Sequence, residues 1–232
     1  FLNLLFDTLY VNFLVVFVTI VFLHFLSFAI CTLYLVAPLT LFNVRLIFLA
    51  FFFLIAFLTT AFPTFTDDFM FCKVMTTNPE LCHELLELIL GKKVGAFTRL
   101  DQQKPIEMTA DGKGIRFDVY SEDDSGIVYD CEMQTSKKDN LPKRTRYYQG
   151  MIDLNLIERG ADYEELKESY VIFICTYDLF GKNACVYTFE NRCCEVEGLC
   201  LEDGTMKVFL NAEGDTSKLT PELRDFLDYV AG

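Results

Sequence analysis

No Cys-x-x-Cys pair occurs anywhere in this sequence, and only His24 and His83 are present to join its nine cysteines. The ligand spacings of a zinc site are therefore missing. Apolar settings such as Phe173-Ile-Cys175-Thr point instead to reduced, buried thiols in a cytosolic protein. Cys82 and His83 do not make a nucleophile and base, because adjacent residues on a helix point in different directions. Basic residues are scarce as well: 20 Lys and Arg stand against 33 Asp and Glu, for a net charge of −13 and a pI near 4.6. This balance argues against tight non-specific binding to nucleic acid, since that affinity comes mainly from neutralised phosphates. Any such contact has to be local, metal-assisted and sensitive to salt. No internal repeat is visible.

Charge is almost absent from residues 1–66, where only Asp7 and Arg45 occur and cancel. The whole net charge belongs to residues 67–232. Two uncharged runs, Thr8 to Val44 and Leu46 to Thr66, each reach the ~20 apolar residues that a membrane helix needs. Pro38 and Asn43-Val-Arg45 would separate two helices, so one reading of residues 1–65 is a transmembrane hairpin. The other is translation of T-rich sequence upstream of a gene, because the first Met is Met70 and the stretch is nearly all Phe, Leu, Val and Thr. It is too long and too apolar for a signal peptide and has no basic start. The expected division is thus an apolar helical segment over 1–65 and a folded domain over 66–232, with a membrane as partner only on the first reading.

Two acids on two predicted strands dominate the domain. Alternation along Ile115 to Tyr120 puts Ile115, Phe117 and Val119 on one face and Arg116, Asp118 and Tyr120 on the other. The same count along Ile127 to Gln134 groups Ile127, Tyr129, Cys131 and Met133 against Val128, Asp130, Glu132 and Gln134. Each strand is expected to bury one face and offer a polar one. Ser121-Glu-Asp-Asp-Ser-Gly126 reads as a turn between them, which predicts an antiparallel hairpin. Asp118 and Glu132 suit a hard divalent cation, which takes one or two carboxylates with waters and phosphate oxygens. A hairpin centred on that turn pairs Asp118 with Tyr129, leaving Glu132 roughly 10 Å further along. A bend or bulge at Gly126 or Gly114 is then required to bring the acids together. The alternative is a pair of exposed strand acids, a residue type depleted in strands.

Several blocks in order, Thr66-Asp-Asp-Phe-Met-Phe, Asp111-Gly-Lys-Gly-Ile-Arg-Phe-Asp118-Val, Glu132-Met-Gln134 and Leu-Pro-Lys-Arg144-Thr-Arg-Tyr-Tyr148-Gln-Gly, resemble the PD-(D/E)xK nuclease family transposases, also called recombination-promoting nucleases. The resemblance extends over residues 65–232 and includes Tyr170-Val-Ile-Phe-Ile-Cys and Tyr187-Thr-Phe-Glu-Asn-Arg192. It implies a restriction-endonuclease-like α/β core, a mixed central sheet flanked by helices. It also implies Asp118 and Glu132 as ligands of Mg2+, or Mn2+, and cleavage of DNA, with a homodimer left open. Gln134 stands where the wider superfamily has Lys. A neutral amide takes no proton at working pH, so Gln134 is expected to orient water or touch phosphate. A catalytically idle nuclease fold that binds DNA or protein is the competing reading, kept alive by the acidic balance and the missing Lys.

The remaining elements follow from capping and periodicity. Thr66 or Asp67 caps a helix to Val74, and Asn78-Pro79-Glu80 opens another with Leu81, Leu85, Leu88 and Ile89 as its apolar stripe, stopped by Gly91. Glu84 or Glu87 on it is a candidate to approach the metal, against the plainer role of exposed helix acids. Ser169 to Thr176 reads as a central strand covered on both faces, with Ala184 to Phe189 as its neighbour. Leu141-Pro142 opens a long helix to about Glu158, with Gly160 as its stop. Thr220-Pro-Glu-Leu caps the last one. Around the start of the long helix, Lys137, Lys138, Lys143, Arg144 and Arg146 cluster near a helix N-terminus suited to phosphate. Lys143, Arg144, Arg146 and Tyr148 are the expected DNA contacts, Arg144 and Tyr148 sharing a face. Tyr147 and Met151 are assigned to the core. Asp111, Lys113 and Arg116 are supporting residues.

Overall fold

The computed structural model describes residues 65–106 and 114–232. Residues 1–64 of the expected N-terminal apolar segment therefore lie outside the described residues, as do Asp111 and Lys113. Among the described residues no helix is long and apolar enough to cross a membrane. Two helices, α1 (Asp68–Thr77) and α2 (Pro79–Leu90), precede three strands, β1 (Phe97–Ile106), β2 (Ile115–Asp123) and β3 (Val128–Gln134). There follow α3 (Leu141–Leu156), β4 (Ser169–Cys175), β5 (Val186–Phe189), β6 (Thr205–Asn211) and α4 (Pro221–Ala231).

The caps are the residues that sequence singled out. Asp67 accepts from the backbone N–H groups of Phe69 and Met70, satisfying two of the donors a helix start leaves orphaned. Gly91 ends α2 in the left-handed region at φ 62, where a side chain would be strained. Thr220 accepts from the Leu223 N–H, with Pro221 in the first turn of α4.

The strands form one mixed sheet in the order β1-β2-β3-β4-β6-β5. The β3-β4 and β4-β6 pairs are parallel, while β1-β2, β2-β3 and β5-β6 are antiparallel. That is the mixed sheet with flanking helices of a restriction-endonuclease-like core. β4 is buried along its whole length, as a parallel strand covered on both sides must be. Its expected neighbour over Ala184 to Phe189 is displaced: β5 pairs with β6, and β6 takes the place beside β4. The parallel crossover brings in a later strand, which local pattern does not disclose.

The β2-β3 turn is shorter than its composition suggests. The Gly126 N–H donates to the Asp123 carbonyl and the Asp123 N–H to the Ile127 carbonyl, at 3.0 Å each, with Gly126 at φ 79. This is a three-residue loop closed by a left-handed glycine. β2 thus runs on through Ser121 to Asp123, and the pairing becomes Val119 with Cys131 and Tyr120 with Asp130. Counted one step further, Asp118 stands opposite Glu132 rather than Tyr129.

Alternation in β2 also fails in one place. Phe117 and Tyr120 belong to the same core cluster, their rings 5.7 Å apart, although residues three apart on a regular strand face opposite ways. The break falls at Asp118 and Val119. In β1, Gln103, the residue that the pairing register sets opposite Asp118, has φ 48. α3 packs its buried Leu141, Tyr148, Met151 and Ile152 onto this cluster, with Tyr148 edge-on to Phe117 at 5.2 Å. Neither β2 nor β3 offers the open polar face that alternation implied: every residue of β3 is buried.

Candidate active site

The β2-β3 ladder ends at Val119 and Cys131, and past it the acids bridge the strands. Glu132 Oε1 accepts from the Asp118 N–H at 2.9 Å, and Asp118 Oδ2 accepts from the Met133 N–H at 3.3 Å. Each carboxylate thus satisfies a backbone donor that a regular ladder would have paired. Glu132 is 0% exposed and Asp118 7%. Burial pushes both carboxyls up, followed by Asp68 for Asp118 and by Asp118 for Glu132. Two like charges in one dry place disfavour ionisation.

Arg144 meets this pair from the first turn of α3. Its Nη2 donates to Glu132 Oε2 at 2.5 Å, Nη1 to Gln134 Oε1 at 3.1 Å and Nε to the Tyr148 hydroxyl at 2.8 Å. The guanidinium carbon lies 4.9 Å from the Tyr148 ring centre and 5.2 Å from that of Phe173. Burial opposes its charge, and Glu132 and Tyr148 outweigh that and hold it protonated. Arg144 and Tyr148 do share a face, as expected, but that face is turned to the acids: Tyr148 is 6% exposed. Lys143 and Arg146 are exposed on the outer side. Tyr147 is 40% exposed, not in the core, whereas Met151 is buried. Gln134 gives an amide N–H to the Ser136 carbonyl at 2.9 Å, so much of its hydrogen-bonding capacity is committed within the protein.

Two acids escaped the sequence reading. Asp130 is fully buried, and neither carboxyl oxygen meets an N–H or hydroxyl donor. The Glu132 carboxyl is its side-chain partner, and a hydrogen bond between two carboxyls needs a proton on one. Burial first, then Glu132 and Asp118, push Asp130 well up. Asp68, in the first turn of α1, acts on Asp118 electrostatically. The helix acid near the site is thus Asp68. Glu87 is instead engaged by Lys93 and the Val94 N–H, and Glu84 is exposed. The Asp-Asp pair after Thr66 was a visible signal for it. Arg116 is exposed and lowers the Asp118 carboxyl only weakly, after the Met133 N–H and Arg144. Cys72 of α1 is buried nearby, its thiol pushed up to about 12 by burial and then by Asp118 and Glu132. It is no nucleophile at neutral pH.

Among the described residues no three His, Cys, Asp or Glu side chains converge as a complete metal cage. Mg2+ does not require one, since water and phosphate oxygens complete its octahedron. Asp118 and Glu132, two crowded carboxyls beside the buried Asp130, with Arg144 on one oxygen of Glu132, fit such an ion.

No curated protein and no solved structure matches this chain. Among protein families, the one described as PD-(D/E)XK nuclease family transposase matches residues 65–195. That span holds α1 to β5 and both bridging acids, and it supports a nuclease-type function; the chain belongs to the PD-(D/E)XK nuclease family transposases.

Proposed function

We propose that the chain is a metal-dependent DNA endonuclease that hydrolyses phosphodiester bonds through Asp118, Glu132 and Gln134. The observation that carries this is the mutual bridging of Asp118 and Glu132 at the end of the β2-β3 ladder, two crowded carboxylates with raised proton affinity. Clusters of perturbed acids of this kind are characteristic of functional sites. Asp118 and Glu132 would hold Mg2+, or Mn2+, and such an ion supplies an activated water and neutralises charge on phosphate. Gln134, one amide hydrogen left after Ser136, would orient the attacking water or touch phosphate. Exposed Lys137, Lys138, Lys143 and Arg146 would hold the DNA backbone beside the site. Asp111 and Lys113 remain supporting candidates from the sequence.

The test is nicking of supercoiled plasmid by the full chain in Mg2+, beside Asp118→Ala, Glu132→Ala and an EDTA control. Cleavage present in the parent and lost in all three supports the reading. Cleavage that survives in either variant sinks the ligand assignment. Absence of any cleavage by folded parent protein favours the second reading, a nuclease fold that binds without cutting, for which the neutral Gln134 speaks.

A further inference from the structure

We infer that Arg144 is the phosphate-contacting cation of this site, delivering from α3 the positive charge that neutral Gln134 does not carry. This rests on the nuclease reading above. Gln134 stands two residues from Glu132 on β3, so on that reading a phosphodiester held at the acids would lie near both, and negative charge would build there as the reaction proceeds. Electrostatic help at that point requires a fixed donor already aimed at it. Gln134 has none of its own to give as a charge, and its amide oxygen is occupied by the guanidinium of Arg144 at 3.1 Å.

Arg144 has the chemistry and the rigidity for the task. A guanidinium carries five N–H donors, of which Glu132, Gln134 and Tyr148 take three. One N–H on each terminal nitrogen is left, and a charged N–H of this kind suits a phosphate oxygen. The side chain is 30% exposed, so it is not sealed in the core. The rings of Tyr148 and Phe173 hold the plane of the group, so little conformational freedom is lost on binding. Lys143 and Arg146, by contrast, point outward from the same helix. They serve the DNA backbone in general, while Arg144 alone among the described cations is hydrogen-bonded to both Glu132 and Gln134.

The experiment measures fluorescence anisotropy of a short DNA duplex with the full chain, in Ca2+ and in EDTA, for the parent, Arg144→Gln, Arg144→Lys and the double variant Arg144→Gln with Gln134→Lys. Melting temperature and Ca2+ binding are measured on each. Loss of a charged hydrogen-bonding partner predicts roughly tenfold or greater weakening of Ca2+-dependent affinity in Arg144→Gln. The double variant returns a cation to the same place and recovers most of the loss. Arg144→Lys keeps the charge without the guanidinium and falls between, which retains the test if Arg144→Gln does not fold. Affinity unchanged in Arg144→Gln overturns the inference. So does a double variant that folds and binds Ca2+ like the parent without recovering DNA, since Arg144 would then only position Glu132. A parent chain with no Ca2+-dependent binding overturns the nuclease reading together with this one.

Discussion

Lys104 shows how one side chain writes itself into stability without belonging to the acid pair. It is 8% exposed, its Nζ meets no hydrogen-bond acceptor, and it sits 3.4 Å from the centre of the Tyr120 ring. Burial, then Arg99, push its ammonium down from 10.5 to about 8, with Asp101 and Glu122 pulling the other way. The ring face returns part of the lost hydration. Below pH 8 the folded chain carries a buried charge that the unfolded chain hydrates freely. Between about 8 and 10.5 the folded state binds fewer protons than the unfolded one, so this residue's contribution to stability rises with pH. Lys104→Met is therefore expected to be more stable than the parent by on the order of 2 kcal/mol at pH 7, and the gap to close toward pH 10. Urea melts of both proteins across that range check it. A gap that is constant with pH would mean that Lys104 is not the titrating group.

At the scale of elements, the β2-β3 hairpin decides whether a site exists at all. Its loop is organised by Asp123, 2% exposed, which accepts from the N–H groups of Gly95, Ser125 and Ile127 and from the Tyr129 hydroxyl. Those bonds hold the three-residue loop, and the loop sets the register that puts Asp118 opposite Glu132. Asp123→Ala leaves four donors without their acceptor. The expected cost is on the order of 3 kcal/mol, read as a lower urea midpoint. Asp123→Asn keeps one acceptor oxygen and is expected to lose less. Because a register slip moves every side chain on the strand, the Ala variant should also lose divalent-cation binding, measured by titration calorimetry under conditions where it is folded. Retained binding would show that α1 and α3 hold the acids without the loop.

For the whole molecule, charge is the governing quantity. All of the net −13 belongs to residues 67–232, so on the proposed function DNA would approach an acidic domain and have to be held at one place. On the proposed function, few phosphates are neutralised, and the logarithm of affinity should fall shallowly with that of salt. Removing Lys143 and Arg146 together should lower the slope by about 2 and weaken binding equally for unrelated sequences. Anisotropy titrations at several salt concentrations measure this. A slope unchanged by the double substitution would move the DNA path away from the outer side of α3.

Much was legible in the residues themselves. The caps Asp67 and Thr220, the stop at Gly91, the buried strand Ser169–Cys175 and the long helix from Leu141 follow from local chemistry within a few neighbours, and the family is carried by short ordered blocks. The sequence by itself determined which acids are present and that they sit on adjacent strands. Only the tertiary structure decided that Asp118 faces Glu132, because the register depends on donors from Gly95 to Tyr129 gathered by one carboxylate. It alone turned Arg144 and Tyr148 inward, put Asp68 within electrostatic reach of Asp118, left Asp130 buried without a donor and placed β6 between β4 and β5. Periodicity records which side of an element is apolar; what meets that side is settled by long-range packing, where each contact joins residues whose spacing along the chain carries no signal.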